Sequence, residues 1–250
     1  MTDNQLKELS NKIAYITINP KGSALKSAQK GFKLLGLEPK HLIYVKPTDR
    51  INKELRRYKF SFFTKFLLPK LKEITKKNKL IDEGSANIPI PNIIKVSKLN
   101  CNSTLEQIKK YEVKYLINCG AGIFRKKIIN IQGLIILNAH AGKLPNYKNM
   151  NVVEWALLNK EKVIGTIHRI DLGIDTGPVW LEKEIIVPKF NQINEVRNYA
   201  FDCVLKMFGQ AVIMNELKEV KVKKFNVNQG KKYYKMHSFY LNKLLKYLNN

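Results

Sequence analysis

Short and almost uninterrupted aliphatic runs are the feature that most limits how this chain can fold. They occupy residues 13–18, 41–46, 93–97, 115–120 and 134–140, and helical patterns at 23–35 and 105–112 lie between them. A strand without a polar face has to be covered on both sides, as in a parallel sheet between two layers of helices. The alternation of strands and helices therefore predicts an α/β fold with a doubly wound, mostly parallel, Rossmann-like sheet.

The rest of the chain is predicted to continue this domain. Its predicted elements are a helix at 151–159, a pair of strands near 163–170 and 184–187, and one long helix at 191–219. Residues 1–220 then form the core, and residues 221–250 form a short C-terminal extension that is basic and rich in tyrosine.

The net charge is the most extreme global property of the chain. It contains 45 lysine and arginine residues against 20 acidic ones, a formal charge of +25 at pH 7. Such a charge favours a polyanionic partner, which could be nucleic acid, a membrane surface or a phosphorylated substrate. However, only six of the basic residues are arginine, and asparagine and isoleucine are abundant, as an AT-rich genome would produce. Because nucleic-acid surfaces favour the two-point contacts of arginine, we do not expect a nucleic-acid partner, although the charge leaves that alternative open.

Two segments mix lysine with large apolar residues. The first, within a helical pattern at 52–77 that Pro69 should break or kink, is residues 58–77, and the second is residues 239–250. A basic amphipathic helix can lie on an anionic bilayer, so peripheral membrane contact through 58–77 is one interpretation. The other is packing against the sheet or a second subunit, and the stripe at 239–250 would suit a homodimer.

The N-terminal segment and the cysteines favour a cytoplasmic protein. The first twelve residues lack the apolar core of a signal peptide, and no apolar run approaches the roughly 18 residues needed to cross a bilayer. Cys101, Cys119 and Cys203 follow no spacing typical of metal ligands or of a disulfide framework. We therefore expect reduced thiols and no metal.

Polar side chains interrupt one aliphatic run where it ends. The stretch LIILNAHAGKLPNY, residues 134–147, places Asn138 and His140 after four aliphatic residues and before a turn with Gly142 and Pro145. Because side chains alternate along a strand, Asn138 and His140 project to the same side. Open α/β sheets bind ligands at the carboxyl ends of their strands, so this pair is predicted to lie at the functional edge.

A second polar cluster lies in GTIHRIDLGIDTGPV, residues 165–179. His168 lies on a predicted strand, and Asp171 and Asp175 are four residues apart in a glycine-rich loop. Asp171 could simply cap backbone amides in an ordinary turn. Asp175 is better placed to pair with an imidazole, and a carboxylate beside a histidine raises its basicity and fixes its tautomer.

An amide, an imidazole and a carboxylate together suit one kind of reaction. The asparagine can donate an N–H to a developing oxyanion, and the histidine can take a proton from an attacking amine. The aspartate can orient the imidazole and hold its positive charge. No serine or cysteine nucleophile is needed, so these residues predict direct acyl transfer without a covalent enzyme intermediate.

These residues resemble the formyltransferases that use 10-formyltetrahydrofolate. The resemblance rests on N-A-H-x-G-x-L-P-x-Y, on W-A-L-L-N and on G-T-I-H-x-I-D-x-G-I-D-T-G-P, in the right order and spacing over residues 134–180. It implies that Asn138, His140 and Asp175 are catalytic and that 10-formyltetrahydrofolate is the co-substrate. His168 matches a further histidine that lines the site in the family, and we assign it to substrate binding.

The resemblance also implies where the folate binds. The strand–loop segment INCGAGIF would hold it, together with the loop that closes over the pterin. The implied folate-binding residues are Gly120, Ala121, Gly122, Ile123, Phe124, Asp171, Leu172, Gly173 and Ile174.

The chain departs from the family pattern at two places. Gly142 stands where the family usually has serine, and the common Y-R-G is replaced by Tyr147-Lys148-Asn149. The arginine of that motif often contacts the acceptor or shapes its loop. The departures therefore bear on the acceptor rather than on the chemistry.

The resemblance leaves several acceptors open. Methionyl-tRNA formyltransferases carry an additional C-terminal β-barrel, for which residues 221–250 are too few. Glycinamide ribonucleotide formyltransferases bind a phosphate with a G-S-N-L turn at a helix N-terminus, and Gly22-Ser23-Ala24-Leu25 could do the same, although Ser23 could equally be a simple cap. The segment 50–90 is longer than such a compact enzyme requires.

A nucleotide-linked amino-deoxysugar is the acceptor that the residues favour. Sugar-nucleotide N-formyltransferases, which act in polysaccharide biosynthesis, have an M-N-x-x-x-W-A-like segment after the L-P-x-Y turn, and this chain matches it. The residues assigned to acceptor binding are Tyr147, Lys148, Met150, Asn151 and Trp155, with Gly22 and Ser23. The alternative from another class is a non-catalytic basic binding module of the same fold, which would bind a polyanion with steep salt dependence and show no turnover.

Overall fold

A mostly parallel sheet organises the computed structural model, which describes residues 1–46 and 89–249. The strands are β1 Ile13–Thr17, β2 His41–Val45, β3 Asn92–Val96, β4 Tyr115–Asn118, β5 Ile135–His140, β6 Tyr147–Asn149, β7 Ile164–Arg169, β8 Val179–Glu184 and β9 Lys231–Tyr233. The helices are α1 Asp3–Asn11, α2 Ser23–Lys33, α3 Asn102–Lys110, α4 Lys126–Ile129, α5 Val152–Leu158, α6 Ile193–Leu205, α7 Phe208–Glu216 and α8 Ser238–Asn249. The helix predicted at 52–77 and the segment 58–77 lie outside the described residues.

The main sheet has the strand order β3-β2-β1-β4-β5-β7-β8. Neighbouring strands from β3 to β5 are parallel, whereas β7 pairs antiparallel with both β5 and β8. The predicted doubly wound, mostly parallel sheet is confirmed. The carboxyl ends of β1, β4 and β5 consequently lie at one edge.

Helices cover both faces of this sheet, which explains why the strands lack a polar face. In β1, Ile13 and Tyr15 pack into a cluster that contains Phe32 of α2. The alternate residues of β1 face the opposite side, where Ile16 packs into a cluster with Ile108 of α3. All five residues of β1 are buried. Burying a large aliphatic side chain contributes roughly 1.5–3 kcal/mol, so this two-sided burial strongly stabilises the register.

The sequence misplaced the second strand of the antiparallel pair. It was predicted near 184–187, but β8 begins at Val179, directly after Gly177 and Pro178. The pairing starts early because the backbone at Gly177 approaches the Arg169 carbonyl so closely that an added Cβ would lie 1.8 Å from that oxygen. The glycine therefore lets the chain re-enter the sheet immediately after the loop.

The long helix predicted at 191–219 is two helices, α6 and α7. The break lies at Lys206–Met207, where the backbone of Lys206 packs against α2. A Cβ on Gly31 of α2 would lie 2.2 Å from the Lys206 carbonyl oxygen. The close contact between these backbones thus coincides with the change in helix direction.

The C-terminal segment, residues 221–249, packs directly on the core. Strand β9 pairs in parallel with β6, and the Met150 N–H donates to the Tyr233 carbonyl at 3.1 Å. The rings of Tyr147 and Tyr233 stack with centroids 4.9 Å apart. These contacts attach the segment beside the turn that follows β5. Among residues 1–46 and 89–249, no helix combines the length and apolarity that crossing a membrane requires.

Candidate active site

Three side chains form a hydrogen-bonded chain across the carboxyl ends of β4 and β5. The Ala121 N–H donates to Asn118 Oδ1 at 2.9 Å, and Asn118 Nδ2 donates to Asn138 Oδ1 at 2.9 Å. Asn138 Nδ2 lies 3.1 Å from His168 Nε2, whose residue is the cross-strand neighbour of Asn138. His168 Nδ1 lies 3.1 Å from the Arg169 carbonyl oxygen.

The backbone groups at the two ends of this chain determine its orientation. A backbone N–H can only donate, so Asn118 Oδ1 must face Ala121 and its amide N–H must face Asn138. A carbonyl can only accept, so His168 Nδ1 carries the proton and Nε2 of the neutral ring accepts from Asn138. The Asn138 amide therefore holds its oxygen against Asn118. Its second N–H has no other partner among the residues described.

His140 is buried at the end of β5, with 7% of its side chain exposed. Its Nε2 lies 2.7 Å from the Tyr147 carbonyl oxygen, which can only accept, so this nitrogen carries the proton. In the neutral ring Nδ1 then has a lone pair, and it lies 3.6 Å from Asp175 Oδ2. Burial lowers the pKa of His140, and the charge of Asp175 opposes this effect without cancelling it. The imidazole is therefore neutral at pH 7 and able to accept a proton at Nδ1.

Asp175 lies between the two histidines. Its Oδ1 is 3.6 Å from His168 Nε2, and its Oδ2 accepts a 2.8 Å hydrogen bond from the Asn149 N–H. Burial raises the pKa of the carboxyl, but the two histidines beside it and the Asn149 N–H outweigh burial and lower the pKa to about 2. The carboxylate is therefore charged throughout the physiological range. The backbone at Asp175 has φ +54°, a conformation that aspartate tolerates better than most residues.

Two cavities flank these groups. The first, about 130 Å³, is lined by Asn138, His168 and Asp175 together with most of the residues that the resemblance assigns to folate. Those residues are Gly122, Ile123, Phe124, Asp171, Leu172, Gly173 and Ile174, whereas Gly120 and Ala121 line a larger neighbouring groove with Gly122 and Ile123. The second cavity, about 480 Å³, is lined by His140 and by residues 149–154.

The first cavity, called the folate cavity below after the residues that the resemblance assigns to it, has an apolar rim. Ile123, Leu172 and Ile174 are 73%, 61% and 52% exposed, which is unusual for large aliphatic residues grouped around one cavity. Asp171 stabilises the loop itself, because its Oδ1 accepts from the Gly173 N–H at 3.0 Å and from the Thr176 hydroxyl. The cavity thus combines an apolar rim with the polar side chains of Asn138, His168 and Asp175.

The residues assigned to the acceptor fall into two groups. Met150 and Asn151 line the cavity beside His140. Tyr147, Lys148 and Trp155 instead make contacts within the protein. Trp155 Nε1 donates to the Tyr234 carbonyl at 3.1 Å, and the buried ammonium of Lys148 donates to the carbonyls of Val227, at 3.0 Å, and Gln229. These contacts attach the C-terminal segment to the turn after β5.

Gly22 and Ser23 lie at the start of α2, after β1 and at the same edge of the sheet. Gly22, not Ser23, occupies the N-cap position, and its N–H donates to the Asn19 carbonyl at 3.0 Å. Neither residue belongs to the lining of the two cavities that flank His140 and Asp175 in the described structure.

Both departures from the family pattern have a structural explanation. A Cβ at Gly142 would lie 2.9 Å from His140 Nε2 and 3.0 Å from the Tyr147 carbonyl oxygen, so the contact between them leaves no room for a side chain. Asn149 has φ +80°, and asparagine is among the residues that best replace glycine in that region. Both residues thus fit the backbone conformation that the turn has in this chain.

Two further residues of the site escaped the sequence reasoning. Asn118 ends the strand next to β5, and its position at a strand end was the available signal. Glu154 is 1% exposed and lines the cavity beside His140. Its signal was a carboxylate three residues after Asn151 in the segment that matches the sugar-nucleotide pattern. No cluster of three or more metal-ligating side chains occurs in residues 1–46 and 89–249.

Comparison with known families decides the relationship. The model of the formyl transferase family matches residues 72–210, more than half of the chain. The chain belongs to this family. The resemblance seen in the motifs is thus confirmed.

Individual relatives either match only part of this chain or have low sequence identity to it. A methionyl-tRNA formyltransferase from Thermodesulfovibrio yellowstonii is 36% identical over 92 residues, which cover 36% of this chain and 30% of that protein. The chain thus matches less than a third of the length of this curated relative. A 4-N formyltransferase from Francisella tularensis has a TM-score of 0.53 at 18% identity, covering 90% of this chain and 76% of that one.

The structure of the phosphoribosylglycinamide formyltransferase of Streptococcus pneumoniae is similar to this chain to about the same degree. Its TM-score is 0.51 at 13% identity, with coverage of 83% and 98%. At these identities the two structures show a common fold and do not distinguish one acceptor from another.

Proposed function

We propose that this protein transfers the formyl group of 10-formyltetrahydrofolate to a primary amine, without a covalent enzyme intermediate. The observation that carries the proposal is the position of Asn138, His140 and Asp175. They lie between a cavity with an apolar rim, suited to the pterin, and a larger cavity that is open to a second substrate. A general base and an oxyanion donor thus lie between the sites of the two substrates.

Asn138 supplies the oxyanion donor in this mechanism. The amine nitrogen forms a bond to the formyl carbon, and the carbonyl oxygen becomes an oxyanion. The hydrogen bonds from Asn118 and to His168 keep the Asn138 N–H on the side of the folate cavity. One preorganised donor of this kind contributes roughly 2.7–4 kcal/mol to the transition state.

His140 acts as the general base. Its Nδ1 takes the proton that the attacking amine loses, and the positive charge forms 3.6 Å from the Asp175 carboxylate. The bond between the formyl carbon and N10 of the folate then breaks, and the proton held by the His140 imidazolium passes to N10 as tetrahydrofolate leaves, which returns His140 to its neutral form. A general base of this kind contributes about 10²–10⁴-fold in rate.

We further propose that the acceptor is an amino-deoxysugar linked to a nucleotide. This proposal is supported by Met150 and Asn151, the start of the sugar-nucleotide pattern, because both line the cavity beside His140. Methionyl-tRNA is the second candidate, since the similar curated relative from Thermodesulfovibrio yellowstonii is a methionyl-tRNA formyltransferase and the chain carries a charge of +25.

The test is formyl transfer from 10-formyltetrahydrofolate to a panel of amines. The panel contains nucleotide-linked amino-deoxysugars, methionyl-tRNA and glycinamide ribonucleotide, each assayed with the wild type and with Asn138→Ala. We expect turnover of a sugar nucleotide that falls about 10²–10³-fold in the variant. Turnover of methionyl-tRNA alone would refute the sugar acceptor, and binding of polyanions without any turnover would favour the non-catalytic binding module.

A further inference from the structure

The cavity beside His140 has walls from three separate parts of the chain. Its volume of about 480 Å³ falls in the range of small-molecule sites. The segment 149–154 forms the wall next to His140, and α6 contributes Arg197 and Phe201. The third wall comes from the C-terminal segment, through Lys235, Met236 and Leu241.

Glu154 lacks one hydrogen-bond donor in this wall. Its Oε1 accepts from Asn151 Nδ2 at 2.6 Å, from Arg197 Nε at 2.7 Å and from Arg197 Nη2. Its Oε2 is buried and has no partner within the described part of the chain. Buried carboxylate oxygens are almost always hydrogen-bonded, so Glu154 Oε2 is a buried acceptor that still requires a donor, on a residue that lines a substrate-sized cavity.

Lys235 provides a positive charge in the part of the lining that comes from the C-terminal segment. It is exposed at the edge of the cavity, and no acidic side chain lies within ion-pair distance of it in residues 1–46 and 89–249. The other cation of the lining, Arg197, is already paired with Glu154. The titratable residues of the lining are His140, Glu154, Arg197 and Lys235, so the cavity has a net positive charge when His140 is neutral.

We propose that this cavity is the acceptor site and that Glu154 and Lys235 determine which acceptors bind. Glu154 accepts a hydrogen bond from a hydroxyl or N–H of the acceptor, and Lys235 binds its anionic group. The ligand class is a polyhydroxylated amine linked to phosphate. This inference rests on the proposed formyl transfer and adds the residues that select the acceptor.

The C-terminal segment is held firmly enough to serve as a wall. The buried ammonium of Lys148 donates to the carbonyls of Val227 and Gln229, and the Met150 N–H donates to the Tyr233 carbonyl. Lys235 lies only two residues after Tyr233, whose carbonyl is held by this hydrogen bond. Residues 221–249 therefore contribute to acceptor selection.

Binding of UDP and UDP-N-acetylglucosamine, measured by calorimetry without folate, tests the inference. The wild type should bind both, and Lys235→Glu should weaken both at least tenfold. Lys243→Glu is the matched control, because Lys243 is an exposed lysine of the same segment outside the cavity lining, and it should change neither affinity by more than twofold.

Glu154→Gln separates the sugar from the nucleotide. Glutamine has the same shape and keeps one oxygen for Asn151 and Arg197, but it replaces the other oxygen with a donor. We expect it to weaken UDP-N-acetylglucosamine at least tenfold and UDP by less than twofold, while the unfolding midpoint reports separately the loss of the ion pair with Arg197.

Each outcome of these titrations bears on the inference. If the wild type binds neither ligand, or if both variants bind as the wild type does, the inference is overturned even when formyl transfer occurs. If binding follows the expected pattern but no amine is formylated, the acceptor site stands and the proposed function fails.

Discussion

Asn118→Asp is the substitution that best tests how the oxyanion donor is oriented. In the wild type, Asn118 donates to Asn138 Oδ1 at 2.9 Å and accepts from the Ala121 N–H at the same distance. Aspartate keeps the second hydrogen bond but presents a carboxylate oxygen to Asn138 Oδ1. Because two acceptors repel each other at this distance, the Asn138 amide should rotate by half a turn.

The rotated amide places its oxygen where the N–H had been. The position that faces His168 and the folate cavity then carries an acceptor instead of a donor, so the developing oxyanion is repelled. We expect kcat to fall by at least the 10²–10³-fold that loss of one oxyanion donor produces, equivalent to about 2.7–4 kcal/mol. The Ala121 N–H stays satisfied, so the free energy of unfolding should change little.

Compared with Asn118→Asp, Asn118→Ala should lose less activity and more stability. It removes one neutral hydrogen bond that holds the Asn138 amide, worth about 1 kcal/mol, and the contact with His168 still favours the correct orientation. We therefore expect a loss in kcat of less than about tenfold. The alanine leaves the Ala121 N–H without its partner, which costs about 1–3 kcal/mol of stability.

Steady-state kinetics and chemical denaturation of both variants provide the measurements. The aspartate variant should be the less active and the more stable of the two, and Asn118→Asp combined with Asn138→Ala should be no slower than Asn138→Ala alone. Two results would show that Asn118 does not orient Asn138. The first is wild-type turnover in Asn118→Asp, and the second is a loss of kcat in the double variant equal to the product of the two single losses.

The remaining predictions concern Asp175 and the turn after β5. Asp175→Asn should move the acid limb of kcat/KM to lower pH, because the Asp175 charge raises the pKa of His140, and pH–rate profiles would detect a shift in the wrong direction. Asp175 should contribute about 2 kcal/mol to the stability that the folded wild type loses as the pH falls from 4 to 2, since its pKa is lowered from 3.8 to about 2 and its contribution is present only above that range; in urea denaturation the loss should be smaller by that amount in Asp175→Asn. Gly142→Ser should lower kcat at least tenfold and cost about 1–3 kcal/mol, and unaltered kinetics and melting would contradict the steric argument. Asn149→Val should be about 1–2 kcal/mol less stable than Asn149→Gly in denaturation experiments, because φ is +80° there.

The sheet and the pair on β5 could be predicted because both depend on local periodicity. Aliphatic runs indicate strands that are buried on both faces, and alternation puts Asn138 and His140 on one side. Asn118 could not be found in this way. Its role depends on the register that aligns Ile117 with Leu137, which brings the ends of β4 and β5 level, and no local pattern specifies that register.

The role of the C-terminal segment was equally out of reach. Strands β6 and β9 have three residues each, too few for a periodic pattern, and they pair across some 80 positions of sequence. Lysine is a residue type that usually lies on the surface, yet Lys148 is 2% exposed. It can be buried because its ammonium group donates to the carbonyls of Val227 and Gln229. Contacts of this kind are determined by the tertiary structure and leave no local signal.

The geometry of His140 and Asp175 is determined by the backbone rather than by attraction between the two side chains. The Tyr147 carbonyl holds the imidazole at 2.7 Å, and two residues later the Asn149 N–H holds the carboxylate at 2.8 Å. One turn therefore fixes both partners, and their separation of 3.6 Å is longer than a hydrogen bond. It follows that Asp175→Asn removes the charge while the imidazole stays in place, whereas Gly142→Ser displaces the imidazole and leaves the charge. The two variants should thus differ in kind: only Asp175→Asn should shift the pH dependence of kcat/KM, whereas Gly142→Ser should lower kcat without moving the acid limb.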